Sequence, residues 1–389
     1  MTGIWASLAV TLAVQVLAAL VLYVPAVLAP VAQAEVGVHA SAVGVVTALI
    51  FAAATFAALR FGPAILRYGA LRMSQVSLVV CAAGLAVMTT ANIVLIVLGA
   101  LIIGLGYGLV TPSSSSILAD RAPKGLRGFI FSVKQTGVPV GGALAGALLP
   151  ALVALFGWRW AALFASIACI ALAVGMEPLR PAMESERVRK AVARLSMRAS
   201  VLMLFRHRRL WDLSVAAFMF AGMQNCLASY LVIYLHERIG FGLAAAGLAL
   251  SAAMAAGIAG RILWGIVADR WHARPLLGWI GVGMSAAAVL TAMISPRWPA
   301  ASVIAVGLAF GVTAVGWNGV FLAEVAHVVP VQEAGAATGA SLAMTYAGVV
   351  LLPLLFLCIV RLSDSYAVAY CAVAAPTLWR SIVLLRRLS

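Results

Sequence analysis

Stretches of about twenty apolar residues follow one another along almost the whole chain, broken only by short clusters of charge, glycine and proline. A helix of ~20 apolar residues crosses the ~30 Å hydrocarbon core of a bilayer. These stretches predict an all-α membrane protein that crosses the bilayer many times. Composition agrees: 65% of the 389 residues are hydrophobic and 10% are charged, whereas soluble domains carry ~25% charged residues.

Windows broken by charge, Gly or Pro give twelve spans. They are expected at 4–30, 42–66, 72–91, 93–118, 127–155 and 157–177, then at 210–235, 243–268, 274–295, 299–323, 333–359 and 364–385. The first span is too long for a signal-peptide core of ~7–15 residues and has no basic leader, so it reads as a retained helix. Between the sixth and seventh lies the one long polar segment. It carries Arg180, Arg187, Arg189, Lys190, Arg194, Arg198, Arg206, Arg208 and Arg209. The expected organisation is an N-terminal six-helix bundle (1–177), a basic linker (178–209) and a C-terminal six-helix bundle (210–389). The linker reads as a solvated connector and topology anchor, with contact to anionic lipid headgroups as the alternative.

The formal net charge of +15 would suggest nucleic acid in a soluble protein. Here the basic residues sit in short loops, with no nuclear-localisation-like run or basic–aromatic patch, so no nucleic-acid partner is expected. They report topology instead. With the N-terminus in the cytoplasm, that side carries Arg60, Arg67, Arg72, Arg121, Lys124, Arg127, the linker cations, Arg270, Arg274, Arg380, Arg386 and Arg387. Only Arg159, Arg238, Arg297 and Arg361 fall on the far side. Lys and Arg mark the cytoplasmic face, so both termini are expected there. The loop between spans 10 and 11 dissents, with Glu324, His327 and Glu333 but no Lys or Arg. The cysteines (Cys81, Cys169, Cys226, Cys358 and Cys371) fall in apolar stretches without metal-ligand spacing and read as small buried hydrophobes.

The halves look like a parallel repeat. A shift of 203 residues lays Gly62 on Gly265, Arg67 on Arg270, Gly104 on Gly307, Gly108 on Gly311 and Pro150 on Pro353. Gly265, Asp269, Arg270 and Arg274 form a G-x-x-x-D-R-x-x-x-R pattern. The N-terminal copy keeps Gly62, Arg67 and Arg72 but has Leu66 at the Asp position. With twelve spans and a central basic loop, this pattern resembles the signature of the major facilitator superfamily over essentially the whole chain. The resemblance implies two six-helix bundles that alternate access to a central site. Physically, glycine lets helices approach closely. An Asp at a helix end can accept bonds from the first amides of a neighbouring helix and pair with loop arginines. Gly62, Arg67, Gly265, Asp269, Arg270 and Arg274 are therefore expected to gate the cytoplasmic side. Gly128, Gly137, Pro139, Gly141 and Gly142 resemble the glycine–proline motif of superfamily antiporters, though close packing alone is an equal reading.

Two cations stand inside spans. Lys134 lies seven residues beyond Arg127, or ~10 Å along the helix, and Arg261 lies eight residues before Asp269, or ~12 Å. A cation at the bilayer centre costs about 2.5–3.5 kcal/mol on insertion scales, which marks such residues as functional candidates. The sequence places no Asp or Glu at similar depth, so a negatively charged substrate is the expected partner of both. The arginine in helix 8 resembles the substrate-carboxylate arginine of monocarboxylate and oxalate carriers. Two structural alternatives stay open: Lys134 could snorkel to the surface, and Arg261 could bond helix-end carbonyls or acids. In this superfamily helices 1, 4, 7 and 10 line the cavity, which implicates Gln15, Tyr23, Tyr107, Gln224, Asn225, Trp317 and Asn318. Tyr346 in helix 11 is a further candidate. The run Ser113–Ser116 is expected to bond backbone.

The expected function is secondary active transport of a small organic anion, with a co-transported or exchanged ion as a further partner, no cofactor, and the protein acting as a monomer in the lipid bilayer. The Ala/Gly/Arg-rich composition suggests a bacterial inner membrane. Efflux of neutral or drug-like compounds is the alternative. Cation efflux is disfavoured because every Asp and Glu falls at a helix end or loop. A membrane enzyme is disfavoured because the five histidines lie in or beside loops without ligand spacing. A sensor that kept the carrier fold would look the same.

Overall fold

The computed structural model describes residues 3–37, 43–61, 64–184, 197–241 and 243–386. Among these residues the chain is helical, without strands. The first part runs α1 (Ile4–Val36), α2 (Val43–Phe61), α3 (Ala64–Tyr68), α4 (Ala70–Met88), α5 (Ile93–Arg121), α6 (Arg127–Gln135) and α7 (Gly137–Gly175). Two short helices follow, α8 (Arg180–Met183) and α9 (Met197–Arg206). The second part runs α10 (Arg208–Glu237), α11 (Leu243–Arg270), α12 (Ala273–Ala292), α13 (Ala300–Ala314), α14 (Asn318–Val328), α15 (Ala334–Ser363) and α16 (Tyr366–Arg386).

Eleven continuous helical stretches among the described residues are long and apolar enough to cross a membrane. One of them, Arg127–Met183, is 57 residues long. At 1.5 Å per residue it would reach ~85 Å, far beyond a single crossing. It turns at Gly157, whose φ of 82° and ψ of 163° suit only a residue without Cβ. The turn divides the stretch into the fifth and sixth spans and brings the count to twelve.

The described residues form two compact units: Met1–Ala122, Lys134–His207 and Val325–Ala343 in the first, and Pro123–Val133, Arg208–Glu324 and Met344–Ser389 in the second. The repeat glycines do the same work in each. In the first unit Gly104 and Gly108 set α5 against the carbonyls of Ile50 and Ala54 on α2. In the second, Gly307 and Gly311 set α13 against those of Ala249 and Ala253 on α11. A side chain at Gly104, Gly108 or Gly311 would collide with backbone, which is why small residues recur there.

Three features depart from the expected helices. The fifth span is interrupted at Thr136, between α6 and α7. Pro139 has no N–H for the Gln135 carbonyl, so the ladder fails there. The tenth span breaks at 315–317, between α13 and α14. The linker is partly helical, containing α8 and α9, while residues 185–196 lie outside the described residues. The cysteines also divide: Cys81, Cys169 and Cys226 are buried, but Cys358 and Cys371 are exposed on their helices.

Candidate functional site

In the first unit the local cause of the site is the interruption in the fifth span. It leaves Lys134 in the last turn of α6, where helix carbonyls favour a cation. Glycines then bring α7 onto α1. A Cβ at Gly137 would lie 2.9 Å from the Gln15 side chain, and one at Gly141 would strike the Val16 carbonyl. Gly142 faces the Tyr23 ring. The motif glycines on α7 thus pack α7 against α1 beside Gln15.

Lys134 is 1% exposed. Its Nζ donates to Gln15 Oε1 at 2.6 Å, to Gln135 Oε1 at 3.0 Å and to Thr111 Oγ1 at 3.4 Å. The Thr111 hydroxyl in turn donates to Gln15 Oε1 at 3.2 Å. The ammonium points into the unit, so Lys134 does not snorkel. Gln15, Thr111 and Gln135 are themselves buried, and all three present neutral oxygens to the cation. Tyr107 lies one turn before Thr111 on α5 and packs edge-on against Phe51, with ring centroids 6.3 Å apart. Sequence reasoning missed Thr111 and Gln135. Their spacing from Tyr107 and Lys134 was visible, but nothing showed which way they faced.

In the second unit Arg261 is 2% exposed. Its Nε donates to the Val315 carbonyl at 2.9 Å, at the break between α13 and α14. Trp264, one turn further along α11, donates from Nε1 to the Val312 carbonyl at 2.9 Å. Helix ends leave carbonyls without intrahelical donors, and these two side chains supply donors where the tenth span is broken. The Arg261 Nε contact is therefore the helix-carbonyl bond that the sequence left open as an alternative role.

The other polar candidates of this unit separate into two groups. Asn318, the first residue of α14, donates from Nδ2 to Gln224 Oε1 at 3.2 Å. Asn225 donates to the Val349 carbonyl at 2.9 Å. That carbonyl is the one freed by Pro353 four residues later in α15, so Asn225 repairs a helix. Trp317 is fully buried against Phe220 and Phe321, at centroid distances of 5.6 and 5.4 Å. Tyr346 is buried in α15. In the first unit all four residues of the Ser113–Ser116 run are buried. Ser114 bonds the Val110 and Thr111 carbonyls as expected, whereas the Ser113 and Ser115 hydroxyls have no partner among the described residues.

The signature residues of the second unit form a clasp. Asp269, at the end of α11, accepts from the Gly128 amide at 2.7 Å and the Phe129 amide at 2.8 Å. A carboxylate thus meets the positive end of α6 and satisfies two amides that the helix leaves open. Gly128 and Gly265 make the approach possible, since a Cβ on Gly128 would lie 2.6 Å from the Gly265 carbonyl. The arginine pairing differs from the expectation. Among the described residues Asp269 makes no salt bridge. Arg274 instead lies 4.0 Å from buried Asp212, which also binds Arg380 at 3.1 Å. Arg270 is exposed. In the N-terminal copy Arg67 is exposed over Tyr68, Leu66 belongs to α3, and Gly62 lies outside the described residues.

Twelve apolar spans in repeated six-helix sets, interrupted beside buried polar side chains, define a multi-pass membrane protein built as a secondary transporter. The sequence model of the Major Facilitator Superfamily matches residues 11–353, and the chain belongs to that superfamily. It is 24% identical over 357 residues to "Putative metabolite transport protein YwtG" of Bacillus subtilis (strain 168), a match spanning 83% of this chain and 78% of that protein. Its fold is similar to that of the E. coli fucose:proton symporter FucP, with a TM-score of 0.78 at 16% identity and 100% coverage of both chains. The human organic anion transporter MFSD10 gives a TM-score of 0.76 at 16% identity, over 99% of this chain and 100% of that one. The proton:xylose symporter XylE gives 0.73 at 16% identity, over 98% and 95%.

Proposed function

We propose that this transporter moves a small organic anion across a bacterial inner membrane by alternating access, as a monomer with both termini cytoplasmic. Its six-helix halves, 1–177 and 210–389, are joined by the basic linker 178–209. Lys134 carries the proposal: a cation 1% exposed inside a span, bonded to Gln15, Thr111 and Gln135. A cation inside a span is costly, which marks it as a candidate pathway residue. Arg261 is the second proposed anion ligand, with Gln15, Tyr107, Gln224, Trp317 and Asn318 shaping recognition, while Asn225 repairs the helix at Val349. Interrupted helices support this, because transporter sites recur where helices are broken. The description of MFSD10 as an organic anion transporter agrees with an anionic substrate.

Gating falls to Gly265, Asp269, Arg270 and Arg274, with Gly62 and Arg67 in the other copy. Release of the Asp269 carboxylate from α6 is the proposed switching step.

Two similar structures are sugar symporters, which makes a neutral substrate the competing outcome. Calorimetry of small carboxylates decides between them. Arg261→Lys is expected to weaken binding despite keeping charge, because the planar fork is lost. Lys134→Arg is expected to be milder. Alanine at either position is expected to cost tenfold or more in affinity, about 1.4 kcal/mol. Near-normal carboxylate affinity in both folded alanine variants would end the anion reading and favour transport or efflux of neutral compounds.

A further inference from the structure

A notch of small residues seats α6 on α11 and α14, and every group in the notch belongs to the second unit. A Cβ at Gly128 would lie 2.6 Å from the Gly265 carbonyl, and one at Gly265 would lie 2.6 Å from Ser132 Oγ. One at Gly319, in the first turn of α14, would strike the backbone and hydroxyl of Ser132. Ser132 thus stands one turn beyond the amides that Asp269 holds, pressed between Gly265 and Gly319. It is fully buried, and its hydroxyl has no hydrogen-bond partner among the described residues. Other buried helical hydroxyls of this unit avoid that cost. Ser285, Thr291, Thr377 and Ser381 each donate to the carbonyl four residues before, at 2.7–2.8 Å. The corresponding carbonyl for Ser132 is that of Gly128, and it lies against Gly265. Packing alone does not call for a serine here, because alanine keeps the same Cβ without a polar atom. An unpaired buried polar group penalises the state that buries it.

We propose that Ser132 sets the balance of the α6 gate. While Asp269 is bonded to α6 the hydroxyl is shut away unpaired, and when α6 lifts from α11 and α14 it gains water. The carboxylate favours the docked helix and the serine opposes it, so the docked state is held without being locked. This rests on the reading of Asp269 as a gate. A buried unsatisfied hydroxyl shifts such an equilibrium about fivefold or more.

Hydrogen–deuterium exchange tests the balance on the full chain in lipid nanodiscs, with no substrate needed. Read by mass spectrometry, it follows opening of α6 through the amides of 127–133. Ser132→Ala should slow exchange there about fivefold or more, with α12 unchanged. Asp269→Asn should speed it, and the double variant should return toward the parent rate. Ser132→Val, whose methyls meet Gly265 and Gly319, should speed it as well. Exchange in Ser132→Ala that is unchanged or faster would overturn the proposal, since the hydroxyl would then carry no penalty. Equal slowing in α6 and α12 would mark general stabilisation and overturn the gating role. Unchanged α6 exchange in Asp269→Asn would end the Asp269 reading, and with it the balance, whatever Ser132→Ala shows.

Discussion

Lys134 and Arg261 are both buried cations inside apolar helices, yet the chain holds them by different means. Lys134 reaches side-chain oxygens on α1, α5 and α6. The Nε of Arg261 reaches a main-chain carbonyl at a helix break. Side-chain amides and hydroxyls can turn to new partners when a cation leaves. A carbonyl fixed at the end of α13 cannot. A charge held by side chains is thus separable from the fold, whereas a charge bonded to a broken helix also contributes to the fold.

That contrast predicts different penalties. Arg261→Ala should have the largest effect, because it removes a cation and leaves the buried Val315 carbonyl without this donor. An orphaned buried polar group costs about 1–3 kcal/mol, so thermal unfolding should occur at lower temperature and anion affinity should fall as well. Unchanged stability in this variant would show that the Val315 bond contributes nothing and would erase the contrast.

Lys134→Met should reduce carboxylate affinity at least tenfold, about 1.4 kcal/mol, while stability stays near the parent value or rises. A buried cation is costly to desolvate, and Gln15, Thr111 and Gln135 can bond one another once it is gone. A drop in melting temperature as large as that of Arg261→Ala would mean that the two sites are held alike.

Asp269→Asn should slow transport several-fold with substrate affinity changed only slightly, because its carboxylate bonds the Gly128 and Phe129 amides. Each charge–helix interaction is worth about 0.3–1 kcal/mol, enough to shift a gate without unfolding it. Separate measurement of the maximal rate and the half-saturation concentration checks this. A collapse of affinity with a normal rate would place Asp269 at the substrate.

The smallest effect is expected from Asn225→Ala. Its bond to the Val349 carbonyl resembles other interhelical bonds in membranes, worth ~0.6 kcal/mol. Thermal denaturation should show a shift near the limit of detection, with binding intact. A tenfold loss of binding would move Asn225 from helix repair to recognition.

Much of the fold was legible because its cause is local. Hydropathy over a window of helical length gave the spans, and glycines repeating at a shift of 203 residues gave the parallel repeat. The breaks were harder to read. Pro139 was visible, but whether it would bend α6 into α7 or interrupt it depended on packing against α1. No proline lies in 312–318, where Gly316 is the local irregularity, and the donors that meet the carbonyls of the break come from α11, distant in sequence. The partner of Asp212 was equally hidden. Arg380 counted as a terminal topology charge in the sequence, yet α16 carries it to a buried carboxylate 168 residues away.

Residue order alone was enough to predict an all-α membrane protein of about twelve apolar spans with a repeated glycine pattern, and to single out Lys134, Arg261 and Asp269. Apolar length, glycine spacing and the cost of an intramembrane charge act through the chain's own composition. What each charge bonds was settled only by helix packing. Those partners come from carbonyls and amides exposed where helices start, stop or break, and such groups gain donors and acceptors only when distant helices pack beside them.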